Sequence, residues 1–292
     1  MALVYRLVYY YSVLAISNIS IMLHCIALYA IYLSTKKSNQ NIILTSLSMG
    51  EIVASIHRVL FEVGKQKKFF ITRHAAEITL HCVHVASIYI LVFICYVLIL
   101  DRLVMVISPL KYNLRMSRTK VTAMAITCWF AGTLLGVLTN LLPLNIKNII
   151  DAVGWFIGIN QLLLVCITYV IIILKVRGSR NLYGDRNNEG QLKFRKEFLI
   201  PTIVISTNIL FFTCPLAVQA FFPWKMLDKN PTGKYIVSAL VQFLPHVGVV
   251  TDALTYVLLS PHYRRNLTRV MNKFYKNIVE IVTSIGNRKK SR

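Results

Sequence analysis

Seven apolar runs, each long enough to cross a lipid bilayer as a helix, constrain this chain more than any other feature. They cover about 7–33, 42–63, 75–108, 121–144, 153–174, 198–222 and 235–259. A transmembrane helix needs about 20 mostly apolar residues, whereas the strands of membrane barrels alternate in polarity and are about 10 residues long. No run repeats another in sequence. We therefore predict an all-α membrane protein, with residues 1–292 forming a single domain of seven transmembrane helices.

The distribution of charge predicts an orientation for these helices. Only 15% of the residues are charged, yet the formal net charge is +22. With the N-terminus outside, the inner loops and the tail hold 23 Lys and Arg, and the outer side holds nine. Cytoplasmic loops are enriched in Lys and Arg. We therefore expect a multi-pass protein of the plasma membrane with an extracellular N-terminus and a cytoplasmic C-terminus. Nucleic-acid binding is not expected, because the bases lie between apolar runs.

The segment after the last run predicts one more element. Over 260–275, apolar residues recur at helical spacing and basic residues fill the other face, which is typical of a helix lying in the membrane interface. An ordinary solvated tail is the alternative. Residues 276–292 are predicted to be a basic cytoplasmic tail. The Lys and Arg residues of 175–197 are expected to meet either the G protein or the phosphates of membrane lipids. The six cysteines lie in or beside apolar runs and none has CxxC spacing, so they indicate small apolar side chains rather than metal ligands or a disulfide framework.

Each apolar run contains a short motif. In chain order these are Ser17-Asn18, Asn41 to Glu51, Asp101-Arg102-Leu103, Trp129, Thr168-Tyr169, Thr213-Cys214-Pro215 and Asp252-Ala-Leu-Thr-Tyr256. Ser108-Pro109-Leu110-x-Tyr112 follows the third run. The motifs and their order resemble those of the rhodopsin-like (class A) G-protein-coupled receptors, over nearly the whole chain. Some of the departures from that pattern are shared with the melanocortin and cannabinoid branch.

Several positions depart from the family pattern. They are Glu77 in place of the disulfide cysteine, Gln161 and Ala253 in place of prolines, Thr213 in place of tryptophan and Arg195 in place of an acid. The missing disulfide and the missing acidic partner for Arg102 at the start of the sixth helix lead us to expect raised basal activity.

The resemblance implies a switch that acts on a heterotrimeric G protein. Its residues are Asp101, Arg102, Leu110, Tyr169 and Tyr256, while Trp129 and Pro215 are structural positions. In the resting state Arg102 is expected to pair with Asp101. When the sixth helix moves outward, Arg102 is expected to turn towards Tyr169 and the G protein. In such a switch, a local change in the pairing of charges shifts a helix between two stable positions. Without the resemblance, Arg102 is simply a base at the inner end of a helix.

Three polar residues are expected in the middle of the bundle. They are Asn18, Glu51 and Asp252. Ionisable residues inside a membrane are functional by default, and two neighbouring carboxylates do not both ionise easily. The resemblance implies a sodium ion here, but Leu91 and Gly248 replace polar residues that would help to hold it. A proton shared by the two acids, and bound water, are the alternatives; no other cofactor is expected.

A second set of polar residues falls in the outer halves of the predicted helices. It comprises His57, Arg58, Glu62, His81, His84, Gln242 and His246. We expect a pocket for a small extracellular ligand, which is an anion, a lipid or a short peptide. Proton sensing by histidine is a second interpretation, and hydrogen bonds that hold helices together are a third.

Two other classes of membrane protein compete with the receptor. A seven-span zinc hydrolase would use His81, His84 and His246 as three metal ligands, the number found in open catalytic zinc sites. A secondary transporter normally has inverted repeats, and none is visible in this sequence. We therefore expect a receptor and not an enzyme.

Overall fold

The computed structural model describes residues 2–33, 38–66, 74–108 and 111–141, together with residues 210, 244 and 247–255 and parts of 156–174 and 265–280. Its main helices are α1 (Ala2–Tyr32), α2 (Asn39–Gln66), α3 (His74–Ile107), α4 (Tyr112–Arg115) and α5 (Arg118–Leu141). Every regular element in the described part is helical, which confirms the all-α prediction there.

Four of the helices are long and apolar enough to cross a membrane. The segments are Leu7–Tyr32, Asn39–Gly64, Ile78–Met105 and Arg118–Leu141. They correspond to the first four predicted spans. The remaining three spans and the interfacial helix lie largely outside the described residues, so the count of seven stays a prediction.

Serine side chains determine where two of these helices begin. The backbone N–H of Asn41 donates to Ser38 Oγ at 3.3 Å, at the start of α2. The backbone N–H of Lys120 donates to Ser117 Oγ at 3.4 Å, at the start of α5. A hydroxyl that accepts from the first turn satisfies a backbone donor with no partner inside the helix. Both helices consequently begin three residues before the apolar runs predicted at 42 and 121.

Helix α3 lies at the centre of the described bundle, in contact with α2, α4 and α5, while α1 packs on α2. Its core-facing residues recur every four positions at Ile90, Ile94 and Leu98. Leu47 of α2 and Val121 of α5 pack into the same apolar core. A stripe at this spacing is one face of a helix.

Two glycines let α5 approach α3 closely. A Cβ on Gly132 would lie 2.5 Å from a side-chain carbon of Ile90 and 2.8 Å from its backbone nitrogen. A Cβ on Gly136 would lie 2.5 Å from the backbone nitrogen of Ala86. Small residues four apart allow two membrane helices to pack backbone against backbone. The Gly-x-x-x-Gly spacing of Gly132 and Gly136 is the sequence signal for this close contact.

Helix α1 presents a polar face to the bundle. Ser17, Ser20 and His24 are buried along one stripe. Ser20 and Ser55 of α2 share a hydrogen bond of 3.1 Å between hydroxyls. His24 Nε2 donates to the backbone carbonyl of Val249 at 3.1 Å, which joins α1 to the helical residues 247–255.

Candidate functional site

The end of α3 carries an ion pair in a buried position. Arg102 Nη2 lies 2.8 Å from Asp101 Oδ2, and the two side chains are 4% and 0% exposed. Arg102 also contacts Met105, one turn further along α3, with 3.9 Å between Nη1 and the sulfur. A buried charge is tolerated when it is paired, and the direct contact between Asp101 and Arg102 provides that pairing.

The loop after α3 completes this arrangement. The hydroxyl of Tyr112 donates to Asp101 Oδ1 at 2.5 Å. Asn39 Nδ2 of α2 donates to the Tyr112 hydroxyl oxygen at 3.2 Å and to the carbonyl of Met116 at 2.5 Å. We call these five residues the Asp101 network: Asn39, Asp101, Arg102, Tyr112 and Met116. It ties α2, the end of α3 and the segment around α4 to one carboxylate.

The Asp101 network also affects the acidity of the tyrosine. Partial burial, followed by the hydrogen bond to Asp101, raises the pKa of Tyr112 to about 12. An unperturbed tyrosine titrates near pH 10. Tyr112 therefore remains a hydrogen-bond donor throughout the physiological range. Of the other predicted switch residues, Leu110, Tyr169 and Tyr256 lie outside the described residues.

Trp129 joins α5 to α2 through its polar edge. Its Nε1 donates to Ser46 Oγ at 2.8 Å, and its ring packs on the apolar core. A partly buried indole N–H usually has such a partner. Trp129 therefore lies at a contact between α5 and α2, which agrees with its prediction as a structural position. The second residue in that assignment, Pro215, lies outside the described residues.

The middle of the bundle contains two buried acids. Glu51 of α2 and Asp252 are both fully buried. Cys95 of α3 and Arg58 of α2 are buried as well. Neither carboxylate oxygen of Glu51 has a hydrogen-bond partner.

The structure corrects the assignment of Asn18 to this site. Asn18 lies on the exposed side of α1, and its Nδ2 donates to the carbonyl of Leu14 in the same helix. Consecutive helical residues point about 100° apart, so Ser17 faces the bundle and Asn18 does not. The polar side chains that α1 does place among the helices are Ser17, Ser20 and His24, and His24 was not among the site residues predicted from the sequence.

A group of rings lies between α2 and α3, beyond Arg58. His57 and His84 stack with centroids 4.8 Å apart, and Phe61 lies 5.8 Å from His57 and 5.7 Å from His81. We call these four residues the histidine cluster. Both nitrogens of His57 and Nδ1 of His84 are buried without a hydrogen-bond partner. His81 is exposed, so the cluster extends from the surface to the buried Arg58.

The remaining pocket candidates are placed only in part. Glu62 is half-buried on α2, one turn after Arg58. Gln242 and His246 lie outside the described residues, so the structure does not place the third histidine of the zinc alternative. Within the described residues, no group of three or more His, Cys, Asp or Glu side chains is placed to hold a metal ion.

Three residues of the Asp101 network were not predicted as functional from the sequence. Tyr112 was part of a motif only, and neither Asn39 nor Met116 belonged to a motif. The spacing of Tyr112 after the Pro109-Leu110 pair was the available signal. No sequence pattern indicated Asn39, because its two partners come from residues more than 70 positions later.

Comparisons with protein-family models and with curated proteins find no match to this chain. The functional conclusion therefore depends on the residues and the geometry described above.

Proposed function

We propose that this protein is a receptor of the rhodopsin-like class, located in the plasma membrane. In this proposal it binds a small extracellular ligand in the outer half of its helix bundle and activates a heterotrimeric G protein at the inner face. The N-terminus is extracellular and the C-terminus is cytoplasmic, in accord with the charge bias of the loops.

The observation that carries the proposal is the Asp101 network. A buried ion pair between neighbouring residues at the end of a membrane helix is costly to maintain if its only role is to end the helix. Here both oxygens of Asp101 are engaged, one by Arg102 and one by Tyr112. The segment around α4 is thereby linked to the charge of Asp101. Rearranging Arg102 would change that segment, which is how a G-protein contact surface would be altered.

The histidine cluster supports the ligand-binding half of the proposal. Membrane helices seldom bury polar atoms without partners, because nothing in the lipid satisfies them. Three such nitrogens lie together on His57 and His84, and the exposed His81 leads to them. A small polar ligand entering from the outer side would meet these groups in turn.

The test is nucleotide exchange on G proteins in membranes that contain the receptor. We expect membranes with the wild-type protein to exceed mock membranes in exchange for at least one G-protein class. Arg102→Ala should remove this excess, because it deletes the cation of the Asp101 network.

Arg269→Ala is the matched control. Arg269 is an exposed arginine that lies outside the segment around α4. We expect this variant to retain the wild-type exchange rate. Equal exchange with and without wild-type receptor, across all classes, would contradict the proposal, as would equal losses in both arginine variants.

A further inference from the structure

The segment that joins α3 to α5 lies at one surface of the membrane. The membrane-length part of α3, Ile78–Met105, ends shortly before α4, and the next one, Arg118–Leu141, begins shortly after it. Helices of this length cross the bilayer from one headgroup layer to the other. The segment between them, which contains α4, therefore lies at the depth of the lipid headgroups.

Four cations occupy this segment and the first turn of α5. Lys111, Arg115, Arg118 and Lys120 are all exposed. The sequence has no Asp or Glu at all from 102 to 150. Among the described residues, no ion pair involves any of the four cations. Their charge is therefore not balanced by the neighbouring parts of the chain.

Two of these cations are held against α4 by neutral acceptors. Arg115 Nη1 donates to Ser108 Oγ at 3.1 Å, and Lys120 Nζ donates to the backbone carbonyl of Leu114 at 3.1 Å. A hydroxyl and a carbonyl carry no net charge, so both side chains keep their full positive charge. The bonds fix the place of these two charges without neutralising them.

An exposed apolar side chain lies among the cations. Leu114 of α4 is 76% exposed. Lys111 precedes it by three residues, which puts the two on neighbouring positions of one helical face. The opposite side of the segment is attached to the bundle, because Tyr112 donates to Asp101 and Met116 is buried. Helical segments that lie in a membrane interface combine a buried apolar side chain with bases that reach the headgroups in this way.

We call the five outward-facing residues the basic α4 surface: Lys111, Leu114, Arg115, Arg118 and Lys120. We propose that this surface binds the headgroups of anionic phospholipids in the cytoplasmic leaflet. The negative potential of that leaflet attracts Lys and Arg near the membrane, and the attraction falls off within about one Debye length. In this proposal Leu114 enters the boundary of the acyl chains, and the cations contact headgroup phosphates and carboxylates.

The test measures the preference of the full-length protein for an anionic lipid by electron paramagnetic resonance. Purified protein is reconstituted in phosphatidylcholine vesicles with a trace of spin-labelled phosphatidylserine or spin-labelled phosphatidylcholine. We expect the wild-type protein to immobilise the serine lipid at least about threefold more strongly than the choline lipid at low salt, and this ratio should fall in high salt.

Replacing all four cations tests whether this surface produces the preference. The combined change Lys111→Gln, Arg115→Gln, Arg118→Gln and Lys120→Gln should remove more than half of the excess over a ratio of one. The matched control exchanges lysine and arginine at the same four positions and should keep the wild-type ratio. A wild-type ratio in the glutamine variant would overturn the proposal.

A smaller variant covers the case in which the fourfold change prevents folding. Lys111→Gln with Arg118→Gln leaves the bonds of Arg115 and Lys120 in place. It should lose part of the preference while immobilising the choline lipid as the wild-type protein does. An unchanged ratio in this variant would likewise contradict the proposal.

The same variants distinguish a lipid surface from a contact with the G protein. Lipid preference is measured without a G protein or a ligand, so its failure is separate from failure of the nucleotide-exchange assay. A fourfold glutamine variant that loses nucleotide exchange in pure phosphatidylcholine vesicles but keeps its preference for phosphatidylserine would assign the basic α4 surface to the G protein and overturn the proposal.

Discussion

Two acid–arginine pairs lie in the described helices, and they differ in how completely they are bonded. Asp101 and Arg102 are adjacent in α3 and lie 2.8 Å apart, with Tyr112 on the second carboxylate oxygen. Glu51 and Arg58 are seven residues apart in α2, and the carboxylate oxygens of Glu51 are without hydrogen-bond partners. Direct contacts join the first two residues, whereas no ion pair or hydrogen bond is described between Glu51 and Arg58.

This difference indicates two kinds of role. A carboxylate with both oxygens bonded in a fixed geometry is a latch, because releasing it requires breaking several contacts at once. A buried carboxyl group whose oxygens have no hydrogen-bond partner leaves its hydrogen-bonding capacity unused. The comparison therefore predicts larger local effects at Asp101, where several contacts are broken at once, than at Glu51.

The largest effect is expected at the close contact between α5 and α3, which is part of the packing of the described helices. Gly136→Leu would force side-chain atoms into the backbone of Ala86, so α5 could no longer pack on α3. We expect loss of most of the monodisperse protein in fluorescence-detected size-exclusion chromatography. Thr133→Leu, at an exposed position of the same helix, is the control and should behave as wild type. Normal yields of Gly136→Leu would show that the close α3–α5 contact is not required.

The next effect breaks the bonded pair itself. Asp101→Asn keeps the shape of the side chain but leaves Arg102 buried beside a neutral group. Breaking a buried ion pair on one side typically costs about 3–5 kcal/mol. We expect a lower unfolding temperature in detergent together with higher basal nucleotide exchange, because the latch is released. Thr133→Ala, an exposed change in α5, should alter neither quantity. Lower stability without any rise in exchange would leave Asp101 a purely structural residue.

A smaller effect removes only the hydroxyl of the latch. Tyr112→Phe deletes the hydrogen bond to Asp101 and should lower the free energy of unfolding by about 2 kcal/mol, the usual scale for a bond to a charged group. The exposed Tyr32→Phe is the control.

The acidity of Tyr112 gives this variant a pH signature. The folded pKa of about 12 lies above the unfolded value near 10, so the stabilisation is fully present below about pH 10 and is lost as the pH rises through 12. The stability difference between wild type and Tyr112→Phe should therefore be constant from pH 7 to pH 9. A difference that shrinks within this range would contradict the described hydrogen bond.

The smallest effect is expected at Asn18, which the structure places on the exposed side of α1. Asn18→Ala should change the free energy of unfolding by less than about 0.5 kcal/mol, because Asn18 is exposed and bonds only within its own helix among the contacts described. His24→Ala should cost about 3 kcal/mol, since it leaves a cavity and removes the bond to Val249. If the Asn18→Ala and His24→Ala variants lost equal stability, the placement of Asn18 on the exposed side of α1 would be contradicted.

The sequence alone was sufficient for features that depend on composition and local spacing. Long apolar runs predicted the four membrane-length helices, because the need to satisfy backbone groups in lipid leaves few other structures. The pairing of Asp101 with Arg102 was also predictable, since the two residues are neighbours on one helix. Trp129 was likewise assigned a structural role that agrees with its bond to Ser46.

Only the tertiary structure decided which polar side chains meet. Asn18 and His24 both lie in the first apolar run, and periodicity there is weak because nearly every residue is apolar. The neighbouring helices determine which face of α1 is buried, and they select Ser17, Ser20 and His24. The bonds from Asn39 to Tyr112 and Met116 depend on the approach of α2 to the segment after α3. Local sequence determines where helices form, whereas contacts between distant segments depend on packing that no single segment specifies.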